Sequence, residues 1–113
     1  MIQVYHNNRC GKSRDAIKYL ENAGKEFEII KYLENPPNQS EIEALLLKLN
    51  YQPIDLVRQK ESIWIEKFKG KSLTNEDIIK ALAENPILIE RPIAIFKDKA
   101  IVARPLENLN EFI

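Results

Sequence analysis

A short apolar run, Ile2-Gln3-Val4-Tyr5, leads through a polar, cationic turn into apolar residues at helical spacing: Ala16, Ile17, Tyr19, Leu20 and Ala23. Gly24 then stands where a helix would end as a C-cap, and Phe27 to Tyr32 alternates enough to read as a second strand. This strand-helix-strand order constrains the fold more than any other feature. Two strands joined through a helix lie parallel, with a right-handed crossover. The rest of the chain has to extend a sheet that begins with that pair.

The turn inside this unit, His6-Asn7-Asn8-Arg9-Cys10-Gly11-Lys12-Ser13-Arg14, holds the only histidine and the only cysteine of the 113 residues. Ser13 or a near neighbour is expected to open the helix, so Cys10 lies where strand becomes helix. A helix start offers unpaired backbone N–H groups and the positive end of a dipole. Both favour a thiolate over a thiol, and both attract an oxyanion. Arg9, Lys12 and Arg14 add positive charge nearby. Cys10 is therefore a candidate nucleophile. A lone cysteine is also commonly a small core residue with no chemistry, and the spacing of His6 from Cys10 does not fix a contact between them.

The length points to a single domain over residues 1–113, and the 44% hydrophobic residues suffice for a packed core. Seventeen basic residues balance seventeen acidic ones, which argues against binding nucleic acid by bulk charge. One cysteine cannot form an internal disulfide or a cysteine-rich zinc site. No apolar run approaches membrane-spanning length, and the first residues carry no signal-peptide pattern. The expectation is a cytoplasmic monomer in a reducing compartment, with neither membrane nor nucleic acid as partner.

Asn35-Pro36-Pro37-Asn38 breaks the chain. Ser40-Glu41-Ile42-Glu43 has the form of a capping box with Ser40 as the cap, ahead of a stripe of Ile42, Leu45, Leu46 and Leu49. Pro53 starts a short helical turn that carries Ile54, Leu56 and Val57 and delivers Arg58. Ser62 to Phe68 reads as a helical piece with Ile63, Trp64 and Phe68 buried, closed by Gly70. Thr74 opens another helix with Ile78, Ile79, Leu82 and Ala83 inward, and Asn85-Pro86 ends it. The period then changes. Ile93 to Phe96 and Ala100 to Ala103 form a hairpin about Lys97-Asp98-Lys99, and Leu106, Leu109, Phe112 and Ile113 suggest a last short helix. The order β-α-β, helices, β-β-α predicts an α/β fold with a mixed four-stranded sheet and helices over its faces, the order of a thioredoxin-like three-layer fold.

Arginine is scarce, five against twelve lysines. Beyond the cysteine stretch, Arg58, Arg91 and Arg104 each stand where an element begins or ends. Arg91 and Arg104 both precede proline, and they flank the hairpin, which brings them near each other. A guanidinium grips a tetrahedral oxyanion with two parallel hydrogen bonds, which lysine cannot do. Singly, each could equally cap a carbonyl or pair with a carboxylate.

Together these stretches resemble a known family. The His6–Arg14 loop is similar to the active-site loop of the glutaredoxin-dependent arsenate reductases. Leu56-Val57-Arg58-Gln59-Lys60, Asn85-Pro86-Ile87-Leu88-Ile89-Glu90-Arg91-Pro92-Ile93 and Val102-Ala103-Arg104-Pro105 resemble three further segments of that family, in order, and Tyr32-Leu33-Glu34-Asn35-Pro36-Pro37 also fits. The resemblance implies that Cys10 attacks arsenate to form a thiol–arsenate adduct. Glutathione, the co-substrate, then displaces it to give a mixed species, and glutaredoxin completes the two-electron reduction to arsenite, a route to arsenic detoxification. It implies that His6 helps keep Cys10 as thiolate and that Arg58, Arg91 and Arg104 hold the oxyanion. Ser13 and a cis Pro92 opposite the cysteine would support the site, with no metal and no bound cofactor. Asn8 stands where the family usually has proline. The same scaffold also serves Spx-type regulators that bind RNA polymerase, which commonly carry a C-x-x-C pair where this chain has Ser13. Another glutathione-dependent thiol oxidoreductase of this fold would share Cys10 and the helix start.

Overall fold

The computed structural model describes residues 1–113. They form two compact units, one of Met1–Asn35 with Arg91–Ile113, the other of Pro36–Glu90. In the first unit, β1 (Ile2–Tyr5), α1 (Gly11–Asn22) and β2 (Phe27–Ile30) are joined by β3 (Ile93–Phe96) and β4 (Lys99–Val102) from the end of the chain. The sheet has four strands in the order β2-β1-β3-β4. β1 pairs parallel with β2 and antiparallel with β3, and β3 pairs antiparallel with β4. This is the mixed α/β sheet expected of a thioredoxin-like chain.

Alternation along the strands decides which side chains meet α1. Ile2 and Val4 of β1 and Ala94 of β3 share a face. Ala16 and Leu20, four apart on α1, pack on that face with Ala103 and Leu109. Leu20 and Leu109 are wholly buried, and burying a side chain of that size stabilises by about 1.5–3 kcal/mol. α1 ends at Ala23, whose N–H donates to the Tyr19 carbonyl, and Gly24 follows at φ 69° in the left-handed region that glycine adopts freely.

Several details depart from the sequence expectation. α1 opens at Gly11 with Cys10 itself as N-cap, two residues before Ser13. β2 stops at Ile30 rather than Tyr32, because Tyr32 turns inward and stacks on Tyr5 with ring centroids 5.8 Å apart. The hairpin turn is tighter than expected. Lys97 takes φ 57°, so Lys99 already pairs with Phe96 and β4 begins one residue early. The last segment, Leu106–Phe112, is a 3-10 helix rather than an α-helix. It is tied down by the Tyr19 hydroxyl bound to the Asn110 side chain and by a Lys99–Glu111 ion pair.

The second unit contains α2 (Gln39–Leu49), a 3-10 turn at Pro53–Leu56, α3 (Ser62–Lys67), α4 (Asn75–Glu84) and a 3-10 turn at Pro86–Leu88. The capping box of α2 is centred on Asn38, not Ser40. Asn38 Oδ1 accepts from the Glu41 N–H at 2.8 Å, and the Glu41 carboxylate accepts from the Asn38 N–H at 3.1 Å. The stripe Ile42, Leu45, Leu46 and Leu49 is buried. Thr74 and Asp77 make the same reciprocal cap for α4, and its inward face carries Ala81 where Ala83 was expected. An isolated bridge, Val57 to Ile89, is extended by the Arg58 N–H donating to the Leu88 carbonyl at 2.7 Å. No helix is long and apolar enough to cross a membrane.

Candidate active site

The turn after β1 is shaped by Asn7. His6 carries the β1–β2 pairing one residue further, its N–H donating to the Ile30 carbonyl at 2.9 Å. Asn7 is buried, and its Oδ1 accepts from the Arg9 N–H at 3.0 Å, an Asx turn that reverses the chain. Its carbonyl accepts from the Cys10 N–H at 3.0 Å. Its own N–H donates to Ser13 Oγ at 3.4 Å, and Ser13 is fully buried. Ser13 thus locks the turn against the helix from inside. Arg14 locks it from outside, donating to the Asn8 carbonyl at 2.8 Å. Arg14 therefore braces the loop.

This bracing presents Cys10 half-buried at the N-cap, with φ −95° and ψ 120°. The first turn of α1 contains no acidic residue, so nothing neutralises the helix dipole there. The Cys10 side chain closes no cap hydrogen bond. Its sulfur nevertheless feels the N–H groups of the first turn. Burial pushes the thiol pKa up, but the Ser13 N–H, a hydrogen bond and the charge from Arg91, and the Lys12 N–H outweigh it. The net result is a fall from 9.0 to about 7.

The two arginines come from the far end of the chain. Arg91 precedes β3 and Arg104 follows β4, and antiparallel pairing holds those strand ends together. The Ala103 N–H donates to the Pro92 carbonyl at 2.9 Å, one step past the strands. Arg104 Nε donates to the Arg91 carbonyl at 2.7 Å, while its Nη2 lies 3.6 Å from Cys10 Sγ. One guanidinium thus bridges the Arg91 backbone and the sulfur. Asn108 holds the segment from below, its Nδ2 reaching the carbonyls of Val102 at 3.0 Å and Arg104 at 3.4 Å. Pro92 is fully buried, and the Arg91–Pro92 and Arg104–Pro105 peptide bonds are both cis.

His6 is buried behind the turn. Burial holds its pKa below 6.5, a hydrogen bond with Asn8 opposes this, and the charges of Lys31 and Arg14 push further down. The imidazole is therefore held toward its neutral form. It lines a cavity of about 320 Å³ beside α1 with Asn8, Arg14, Ile17, Lys18 and Glu21. Arg58 belongs to the second unit. It is half-buried after the Pro53–Leu56 turn, with Nε at 4.0 Å from Glu61 Oε2.

Asn7 and Asn108 are the residues that sequence reasoning missed. Asn7 carried a readable signal, an asparagine directly after a strand, two residues before the N–H it accepts. Asn108 carried none, since its partners are carbonyls that only the folded hairpin brings into reach. Within the first unit, the structure gathers a half-ionised sulfur at a helix start with Arg91 and Arg104 beside it. Such an arrangement can attack a tetrahedral oxyanion and hold the charge that develops on it.

Residues 5–112 match the ArsC family. The chain is 39% identical over 110 residues to an arsenate reductase of Neisseria meningitidis serogroup A, covering 96% of this chain and 94% of that protein. It is 38% identical over 117 residues to an arsenate reductase of Haemophilus influenzae, covering 99% and 98%. Among solved structures, the arsenate reductase from Vibrio cholerae superposes with a TM-score of 0.93 at 37% identity, over 99% of this chain and 97% of that one.

Proposed function

The chain belongs to the ArsC family, and on that premise we propose that it is an arsenate reductase in which Cys10 is the nucleophile and glutathione and glutaredoxin supply the electrons. The observation that carries this reading is the Cys10 sulfur, with its pKa brought to about 7 and Arg104 Nη2 at 3.6 Å. At pH 7 such a thiol is about half ionised, against a few per cent for a free cysteine. Arsenate is a tetrahedral oxyanion, and Arg91 and Arg104 offer the planar donors that suit it.

The chemistry balances with external thiols. The Cys10 thiolate bonds to arsenic of arsenate, and one oxygen leaves as water after taking up protons, so arsenic stays pentavalent. The sulfur of glutathione then attacks Cys10 Sγ. A sulfur–sulfur bond forms, the sulfur–arsenic bond breaks, and its electron pair stays on arsenic, which leaves as arsenite. Cys10 is now joined to glutathione. Glutaredoxin attacks the glutathione sulfur, takes it as a mixed disulfide and returns Cys10 as thiolate. An outside thiol is required because the chain has a single cysteine.

The N–H groups of Ser13 and Lys12 and the Arg91 side chain hold the thiolate, and Arg91 and Arg104 hold the arsenate oxygens. His6, held toward its neutral form, acts through the loop it supports at Asn8. Arg58 as a third oxyanion donor rests on the sequence resemblance alone. Turnover needs a compartment that keeps glutathione reduced, which is the cytoplasm. Ser13, buried and bound to the Asn7 N–H, serves the loop as structure and leaves no second sulfur for a C-x-x-C switch.

The test is a coupled assay with arsenate, glutathione, glutaredoxin and glutathione reductase, read as NADPH consumption. Arsenate-dependent turnover that is absent in Cys10→Ser is expected. Thiol transfer that proceeds equally without arsenate would overturn the reading in favour of a general thiol oxidoreductase. Arg58→Ala separates the third arginine: a loss on the order of a hundredfold or more in kcat/KM supports a donor role, and an unchanged value excludes it.

A further inference from the structure

Beside Cys10 the first unit has a second feature, of which the arsenic chemistry above uses only Arg104. A cavity of about 370 Å³ is lined by Lys12, Ala103, Arg104, Pro105, Leu106 and Glu107. Arg104 belongs to both places, since the guanidinium that forms part of this wall also reaches Cys10 Sγ. The cavity therefore opens one side chain away from the sulfur. Two cations, Lys12 and Arg104, and one carboxylate, Glu107, surround apolar faces of Ala103, Pro105 and Leu106. All three charged residues are exposed, and neither Lys12 nor Glu107 has an ion-pair partner in the structure.

The chain has one thiol for a reaction that consumes two, so the second thiol has to be brought to Cys10 and positioned. We propose that this cavity is the subsite for that thiol, and that it selects glutathione through its charges. This rests on the function proposed above. The cavity volume lies in the range of small-molecule sites, about what a tripeptide needs. Glutathione carries two carboxylates and one ammonium, the complement of two cations and one carboxylate. Lys12 and Arg104 take the carboxylates, Glu107 takes the ammonium, and Leu106 and Pro105 carry the aliphatic stems. Charge-assisted hydrogen bonds of this kind are about twice as strong as neutral ones.

The test uses the whole chain and S-methylglutathione, which keeps every charge and cannot react. Its binding is followed by amide NMR shifts and calorimetry. We expect saturable shifts at Lys12 and at 103–107, with affinity reduced roughly tenfold in Lys12→Ala and in Glu107→Gln, as for a lost charge-assisted hydrogen bond. S-methylglutathione esterified at both carboxylates should bind at least as weakly. In turnover, Glu107→Gln should raise the KM for glutathione and leave the KM for arsenate and the rate with dithiothreitol unchanged. No binding by the unaltered chain, or equal affinity in both variants, would overturn the subsite. Binding with this charge dependence in a chain that fails to reduce arsenate would sink the proposed function and leave the subsite standing.

Discussion

Cys10 is the residue at which opposing effects are most closely balanced. Burial raises its pKa, while the N–H groups of Ser13 and Lys12 and the guanidinium of Arg91 bring it down to about 7. Alkylation by iodoacetamide followed against pH should therefore show a midpoint near 7. Because the depressed value favours the anion, reactivity is full above that pH and falls about tenfold per unit well below it. A midpoint at the free-cysteine value of about 8.5 would count against an activated thiolate. Arg91→Ala removes one stabiliser of the anion and should move the midpoint upward. In turnover Arg91→Ala and Arg104→Ala should each cost on the order of a hundredfold or more in kcat/KM, and lysine should restore little, because a point charge lacks the planar fork. Asn7→Ala leaves the Arg9 N–H without its acceptor. It should cost about 1 kcal/mol in urea unfolding and raise the Cys10 midpoint as the loop loosens.

At the scale of elements, the legible features were those set by local pattern. The apolar run Ile2–Tyr5 became β1, the stripe Ile42, Leu45, Leu46 and Leu49 became the buried face of α2, and Ile93–Phe96 became β3. What was misread depended on competition between equivalent local signals or on distant partners. Asn38 to Glu41 and Ser40 to Glu43 are both plausible capping boxes two residues apart, and the first forms. Ser13 is a better cap than cysteine by preference, yet its hydroxyl is spent on the Asn7 N–H, so the helix begins at Gly11 under Cys10. Tyr32 left the strand because Tyr5 offered it a stacking partner. The approach of Arg91 and Arg104 to each other followed from the hairpin, but the Arg104–Arg91 and Asn108–Arg104 bonds that fix it had no sequence signal. Two stability results follow. Asn38→Ala should lose about 1 kcal/mol by removing a working cap, whereas Ser40→Ala should change stability little. Leu20→Ala, at a wholly buried site, should lose roughly 2–5 kcal/mol. In hydrogen exchange, amides of β1 and β3, which have a neighbour on either side, should outlast those of β2 and β4.

For the molecule as a whole, charge and connectivity explain how a neutral chain builds a local cationic site. Seventeen cations and seventeen anions cancel, but Arg91 and Arg104, from the last quarter of the chain, meet Cys10, from the first tenth, through pairing of β1 with β3 and β3 with β4. The residues 36–90 between them form their own unit. A lone sulfur in that cationic setting can start a two-electron reduction and cannot finish it, so the redox equivalents have to enter from outside. The most direct measurement leaves out glutaredoxin. The protein is mixed with arsenate and glutathione, arsenite is counted, and the protein mass is recorded. One equivalent of arsenite per chain and the mass of one glutathione added at Cys10 are expected, both absent without arsenate. Arsenite formed with Cys10 unmodified, or Cys10 glutathionylated to the same extent without arsenate, would contradict the mechanism.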